Sequence, residues 1–246
     1  MNTSPARAIG FLAVTTGILI LISVAFSTLL YFTGGFRVWA MHAFLVALGV
    51  LLNMVLAWKL HTQLRTQSLR WNQFMLLIEM IGSLVVLIGV IWVIGGAVSG
   101  RLPLYQAWIL MAFGYAFIGL WLLLLNLHAR SRNRWSRSLT QWGLIASVFM
   151  MFGLLTASEV FSPSLYSPPL MPQFGQLLGG LGWKFLYPIW SIGFARVLGK
   201  RTNSLIRARF AENPLPNLKI CKHTIPGSSS MQMARCLTTT ALKRLP

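Results

Sequence analysis

Three carboxylates, Glu79, Glu159 and Glu212, are all the acid in a chain of 246 residues that carries 21 lysines and arginines and four histidines. Glu79 and Glu159 fall in long apolar runs, and so does one lysine, Lys184, within "LGGLGWKFLYPIWSIGFARVLGKR" (178–201). The chemistry open to so few ionisable groups is narrow. An ammonium and a carboxylate in apolar surroundings can neutralise one another, or the ammonium can counter an anionic or polar ligand. Pro188 adds a second polar point: lacking an N–H, it cannot bond the carbonyl four residues back, which belongs to Lys184. One residue thus offers both a charged side chain and a freed backbone oxygen. No HExxH, GxSxG, CxxC or phosphate-cradling glycine loop occurs. Cys221 and Cys236 lie in a polar C-terminal stretch and read as free thiols of a reducing compartment. A haem would want two histidines at matching depth. His61 and His128 match, but among basic residues at the ends of their runs. The residues therefore point to no catalytic group, no metal ligands, no cofactor and a protein that is not an enzyme.

The elements that must position these groups are legible from composition. The chain is 56% hydrophobic and only 10% charged, where a soluble domain has about 25% charged residues. Lipid is the solvent that such a sequence fits. A bilayer core takes about 20 apolar residues in a helix, and six runs qualify: 9–32, 38–60, 74–96, 104–127, 142–161 and 174–198. None alternates with the period of two that a barrel strand needs. The first run is too long for a signal-peptide core, which has roughly 7–15 apolar residues, so it reads as a retained helix. The fold class expected is an all-α transmembrane bundle of six helices over 1–209, followed by a disordered basic cytoplasmic tail over 210–246.

Charge placement sets the orientation. Lys59, Arg65 and Arg70 lie at the second-to-third linker, Arg130, Arg132, Arg134 and Arg137 between the fourth and fifth runs, and Arg196, Lys200, Arg201, Arg207 and Arg209 on the C-terminal side of the sixth. The other linkers carry Arg37 alone, Arg101 alone, or no base. With six spans the basic linkers share one side, and the positive-inside rule makes both termini cytoplasmic. The net charge of +18 thus reads as topology and attraction to anionic lipid headgroups rather than as a nucleic-acid surface. Trp39, Trp58, Trp71, Trp108, Trp135 and Trp142 sit near run ends, as an aromatic belt does. The linker "SPSLYSPPLMPQ" (162–173) is too rich in proline for a helix and reads as an ordered or extended outer loop.

An ionisable residue at bilayer depth costs about 2.5–3.5 kcal/mol on insertion scales, so it faces the bundle interior and wants a partner. Gly180, Tyr187, Ser191 and Ala195 share a helical face with Lys184, which marks that face as inward. Three arrangements are open to the lysine. Side chains lean toward helix N-termini, which favours a pair with Glu159 on the preceding helix. Glu79 lies nearer in depth. Snorkelling to water without an acid is the third. Glu79, Asn53 and Asn126 fall at similar depth on three helices and are expected to form one polar cluster of interhelical hydrogen bonds. A neutral carboxyl in an apolar site is a second reading of Glu79.

The run "FLYPIWSIGFARVLGKR" resembles the last span of uncharacterised bacterial integral membrane proteins, compact six-helix bundles with a Tyr-Pro-x-Trp element there and a basic end. The matching residues are Tyr187, Pro188, Trp190, Arg196, Lys200 and Arg201. The resemblance covers about the first 200 residues and implies a bacterial inner-membrane location, but no activity. The function expected is that of a non-catalytic structural, sensor or assembly bundle. The alternative is a small transporter or ligand-binding protein with a polar site around Lys184. The lipid bilayer is the expected partner, with room for a homo-oligomer or another membrane subunit and none for nucleic acid.

Overall fold

The computed structural model describes residues 3–33, 36–64, 69–99, 104–132, 135–161 and 170–212. The chain divides into two units, Met1–Ser204 and Leu205–Pro246, the second described only for its helical residues up to Glu212. Among the described residues every element is a helix: α1 (Thr3–Thr33), α2 (Phe36–Leu64), α3 (Leu69–Ser99) and α4 (Leu104–Ser131), then α5 (Arg137–Met151), a 3-10 turn (Phe152–Thr156) and α6 (Ala157–Phe161) in one rod, then α7 (Leu170–Leu181), a π-helical turn (Gly182–Leu186) and α8 (Tyr187–Glu212) in another. Five stretches are long and apolar enough to cross a membrane: Ala6–Leu29, Val38–Gln63, Arg70–Gly96, Tyr105–Ser131 and Arg137–Phe161.

The helices outrun the apolar stretches that announce them. α3, for example, has 31 residues, about 46 Å at 1.5 Å per residue, against a hydrocarbon core of about 30 Å. Apolar residues mark depth in lipid, whereas the backbone stays helical until its polar groups find water. Two expectations are corrected on the same ground. Helix α7 begins at Leu170 and contains Pro172, inside the linker expected to be non-helical; proline is tolerated in a first turn, where its missing N–H has no partner to lose. Helix α8 runs on to Glu212, so 210–212 are helical rather than tail. The rest of the expected tail, 213–246, and the linker residues 162–169 lie outside the described residues. At the start of α5, Ser136 caps the helix, its Oγ accepting from the Leu139 N–H at 3.3 Å.

Neighbouring rods run up and down, and close glycine approaches fix the pairing. Gly82 faces the Gly114 carbonyl between α3 and α4, Gly143 faces Asn126 between α4 and α5, and Gly182 faces the Met150 backbone between the last two rods. In lipid, where apolar burial drives little association, such small-residue contacts supply the packing. Helix α1 lies antiparallel to α8, with Gly10 beside Ala195 and Gly17 beside Pro188. One end of the bundle, here the basic end, therefore gathers the exposed Arg7, Lys59, Arg70, Arg130, Arg137 and Arg196. Large apolar side chains such as Phe11, Phe44, Leu77, Leu84, Ile91 and Leu177 are exposed around the outside, as a lipid-facing surface requires.

Candidate functional site

The interior polar groups converge on the α7–π–α8 rod. Its π turn is a local answer to Pro188. The proline ring crowds the carbonyl of residue 184 and offers it no N–H; the turn before it widens, and the Tyr187 N–H bonds the Gly182 carbonyl five residues back. Such insertions re-aim side chains and are frequent at functional sites. Downstream, Trp183, Tyr187, Trp190 and Phe194 form a buried aromatic stripe at helical spacing. Trp183 stacks between Tyr115 of α4 (4.9 Å) and Tyr187 (5.0 Å), and Trp190 stacks on Phe194 (5.3 Å).

Tyr187 begins the polar network. Its hydroxyl donates to Asn53 Oδ1 of α2 in a short bond. Asn53 Nδ2 donates to Glu79 Oε1 of α3 at 2.9 Å, and Ser83 Oγ donates to the same oxygen at 2.7 Å. All four side chains are fully buried. Three rods are thus tied by one chain of hydrogen bonds. Among the described residues Glu79 Oε2 has no hydrogen-bond partner. Asn126, expected in this cluster, belongs to a separate node nearer the basic end: Trp190 Nε1 donates to its Oδ1 at 3.3 Å, and its own Nδ2 donates to the Leu122 carbonyl at 2.8 Å. Ser191 donates to the Ala13 carbonyl at 2.5 Å and ties α8 to α1.

Lys184 takes neither carboxylate expected for it. Among the described residues no acid comes within ion-pair distance of its ammonium, which lies 5.0 Å from the centre of the Trp108 ring. Glu79 spends Oε1 on Asn53 and Ser83, and Glu159 is buried on α6. The lysine stem leans toward the start of its helix, away from the basic end, and so arrives near the start of α4. Trp108 also stacks His42 at 5.6 Å. His42 is buried, and its Nδ1 lies 2.9 Å from the Ser23 carbonyl. A carbonyl only accepts, so Nδ1 carries the proton of that bond; Nε2 has no partner.

Of the groups expected inside, Glu79, Glu159, Asn53, Asn126, Tyr187 and Ser191 are buried and Lys184 is half-buried. Residue types and depth did not single out Trp183, Trp190 and Phe194 as interior, although the spacing 183, 187, 190, 194 was there to be read as a second inward stripe. The Trp108–His42 surroundings of Lys184 had no sequence signal, because they depend on how far the lysine stem reaches. Among the described residues no three of His, Cys, Asp and Glu come together as a metal ion would need. In comparisons with known proteins, no family model, no curated protein and no solved structure matches the chain.

Proposed function

We propose that this chain is a non-catalytic structural, sensor or assembly bundle of a bacterial inner membrane, with six spans and both termini cytoplasmic. The observation that carries the reading is the Tyr187–Asn53–Glu79–Ser83 network: interior polar groups spend their hydrogen bonds on one another across three rods, as ties do, rather than facing a ligand cavity. The basic end supports the orientation through the positive-inside rule, and the length of the α7–π–α8 rod supports a sixth span beside the five stretches that are apolar enough to cross. Asn53→Ala and Tyr187→Phe are expected to lower the melting temperature of the purified protein in micelles. Wild-type melting in both variants would remove the tie reading.

A ligand-binding or transport reading is favoured by a different observation, the Lys184 ammonium without a carboxylate beside the unpartnered His42 Nε2. Lys184→Met separates the two. Under the ligand reading the variant folds and melts like wild type but loses binding or flux of an anionic solute. Under the tie reading, whose network does not include Lys184, it folds and melts like wild type and changes neither binding nor flux. Retained binding and flux would remove the ligand role of Lys184.

A further inference from the structure

A recess of about 400 Å³ opens on the surface of the bundle where the first half of α5 meets α8, within the roughly 300–1,000 Å³ range of ligand clefts. Its character changes along its length. Ile189 and Ile192 of α8 and Trp142 of α5 line an apolar trough, with Gly193 set back between them. Toward the basic end the lining becomes Arg196 of α8 with Ser136 and Ser138 at the start of α5. Ile189 and Trp142 are half exposed, and Arg196 is exposed.

Among the described residues Arg196 has no counter-ion within reach. Glu79 is enclosed in the interior network, and Glu159 lies at the far end of the α5–α6 rod. The guanidinium is thus open to an anion from outside the described bundle. Such an anion must also carry apolar bulk, because the trough beside Arg196 faces the lipid side of the bundle.

We propose that the recess is a binding site for one anionic diacyl phospholipid of the leaflet at the basic end. Its phosphate sits at Arg196 and the serine hydroxyls, and an acyl chain lies along Ile189 and Ile192. Trp142 stands where an interfacial indole fixes headgroup depth. The bond from the Leu139 N–H already occupies Ser136 Oγ as a cap acceptor, so its hydroxyl proton remains to be donated. The site deepens the membrane reading above and rests on it for the leaflet.

The test uses the full chain in mixed micelles and counts retained lipid by native mass spectrometry, with phosphatidylglycerol and phosphatidylcholine of identical acyl chains as probes. Wild type is expected to retain one phosphatidylglycerol in preference to phosphatidylcholine. Arg196→Gln should weaken that preference about fivefold, the worth of one base at a lipid surface. Gly193→Leu should abolish it by filling the trough while keeping the arginine; the new side chain starts 3.3 Å from the movable Leu139 Cδ1. Arg130→Gln, exposed at the end of α4, should leave it intact. Absence of a preference in wild type overturns the proposal. So does an Arg130→Gln loss equal to that of Arg196→Gln, the mark of diffuse attraction, or unchanged binding in Gly193→Leu. The leaflet is checked apart from this: a membrane-impermeant maleimide should reach Cys221 and Cys236 in inverted vesicles and not in intact cells. Labelling in intact cells would overturn the orientation while leaving the micelle result standing.

Discussion

Asn53 uses both ends of its amide in the interior, accepting from Tyr187 and donating to Glu79. Such a position is expensive to lose, because removing it strands two buried partners rather than one. Tyr187→Phe keeps the aromatic stack on Trp183 and deletes only the hydroxyl, and Trp190→Phe likewise keeps the stack on Phe194 and deletes the N–H. Hydrogen bonds between membrane helices average about 0.6 kcal/mol with a maximum near 1.7. Tyr187→Phe is expected toward the upper end, since its bond continues through Asn53 to Glu79. Trp190→Phe, whose bond goes to an amide that among the described residues donates only to the Leu122 carbonyl of its own helix, is expected near the average. Unfolding equilibria in mixed micelles measure both. The partners were legible unequally. Glu79 and Asn53 announce themselves, because an acid and an amide at one depth in apolar runs have little else to bond. The destination of Lys184 was not legible. Its four-carbon stem carries the charge far enough along the helix axis that matching acids by the depth of their Cα atoms misplaces it, and it ends over Trp108.

At the scale of elements, packing is set by glycines that allow two backbones to meet. A Cβ on Gly182 would lie 2.6 Å from the Met150 nitrogen, and one on Gly82 would lie 2.8 Å from the Gly114 carbonyl. Neither obstacle is the free end of a side chain, so the helices themselves must separate. Gly182→Ala and Gly82→Ala are each expected to destabilise by about 1–3 kcal/mol, the usual cost of overpacking. Gly95→Ala, which meets nothing within 4 Å, should stay within about 0.5 kcal/mol of wild type. Thermal melts of the three variants in one detergent decide it; equal losses at all three positions would mean that glycine acts through the backbone of each helix and not through the contact. The helices themselves were readable as apolar runs. Their true ends were not, because a run ends where lipid ends while a helix continues into the headgroups, and the π turn before Pro188 was foreseen only as a freed carbonyl.

In the whole molecule, the α7–π–α8 rod is the element on which several interior polar ties converge. It reaches α1 through Ser191 and Gly17, α2 through Tyr187, α4 through Trp183 and Trp190, and the α5 rod through Gly182. A bundle that ended at residue 161 would hold Asn53, Asn126 and the Ala13 carbonyl at bilayer depth with those partners gone, and in lipid no water replaces them. It would also lose the buried surface of four aromatic rings. A chain stopped there is therefore expected to insert yet fail to give a monodisperse folded species by size-exclusion chromatography. A chain stopped after Glu212 keeps every contact named above and should melt as the full chain does. The comparison separates a keystone from a peripheral helix: if the first fragment is monodisperse and melts near the full chain, the polar ties converging on the last rod contribute little, and the first five rods hold their geometry by glycine packing alone.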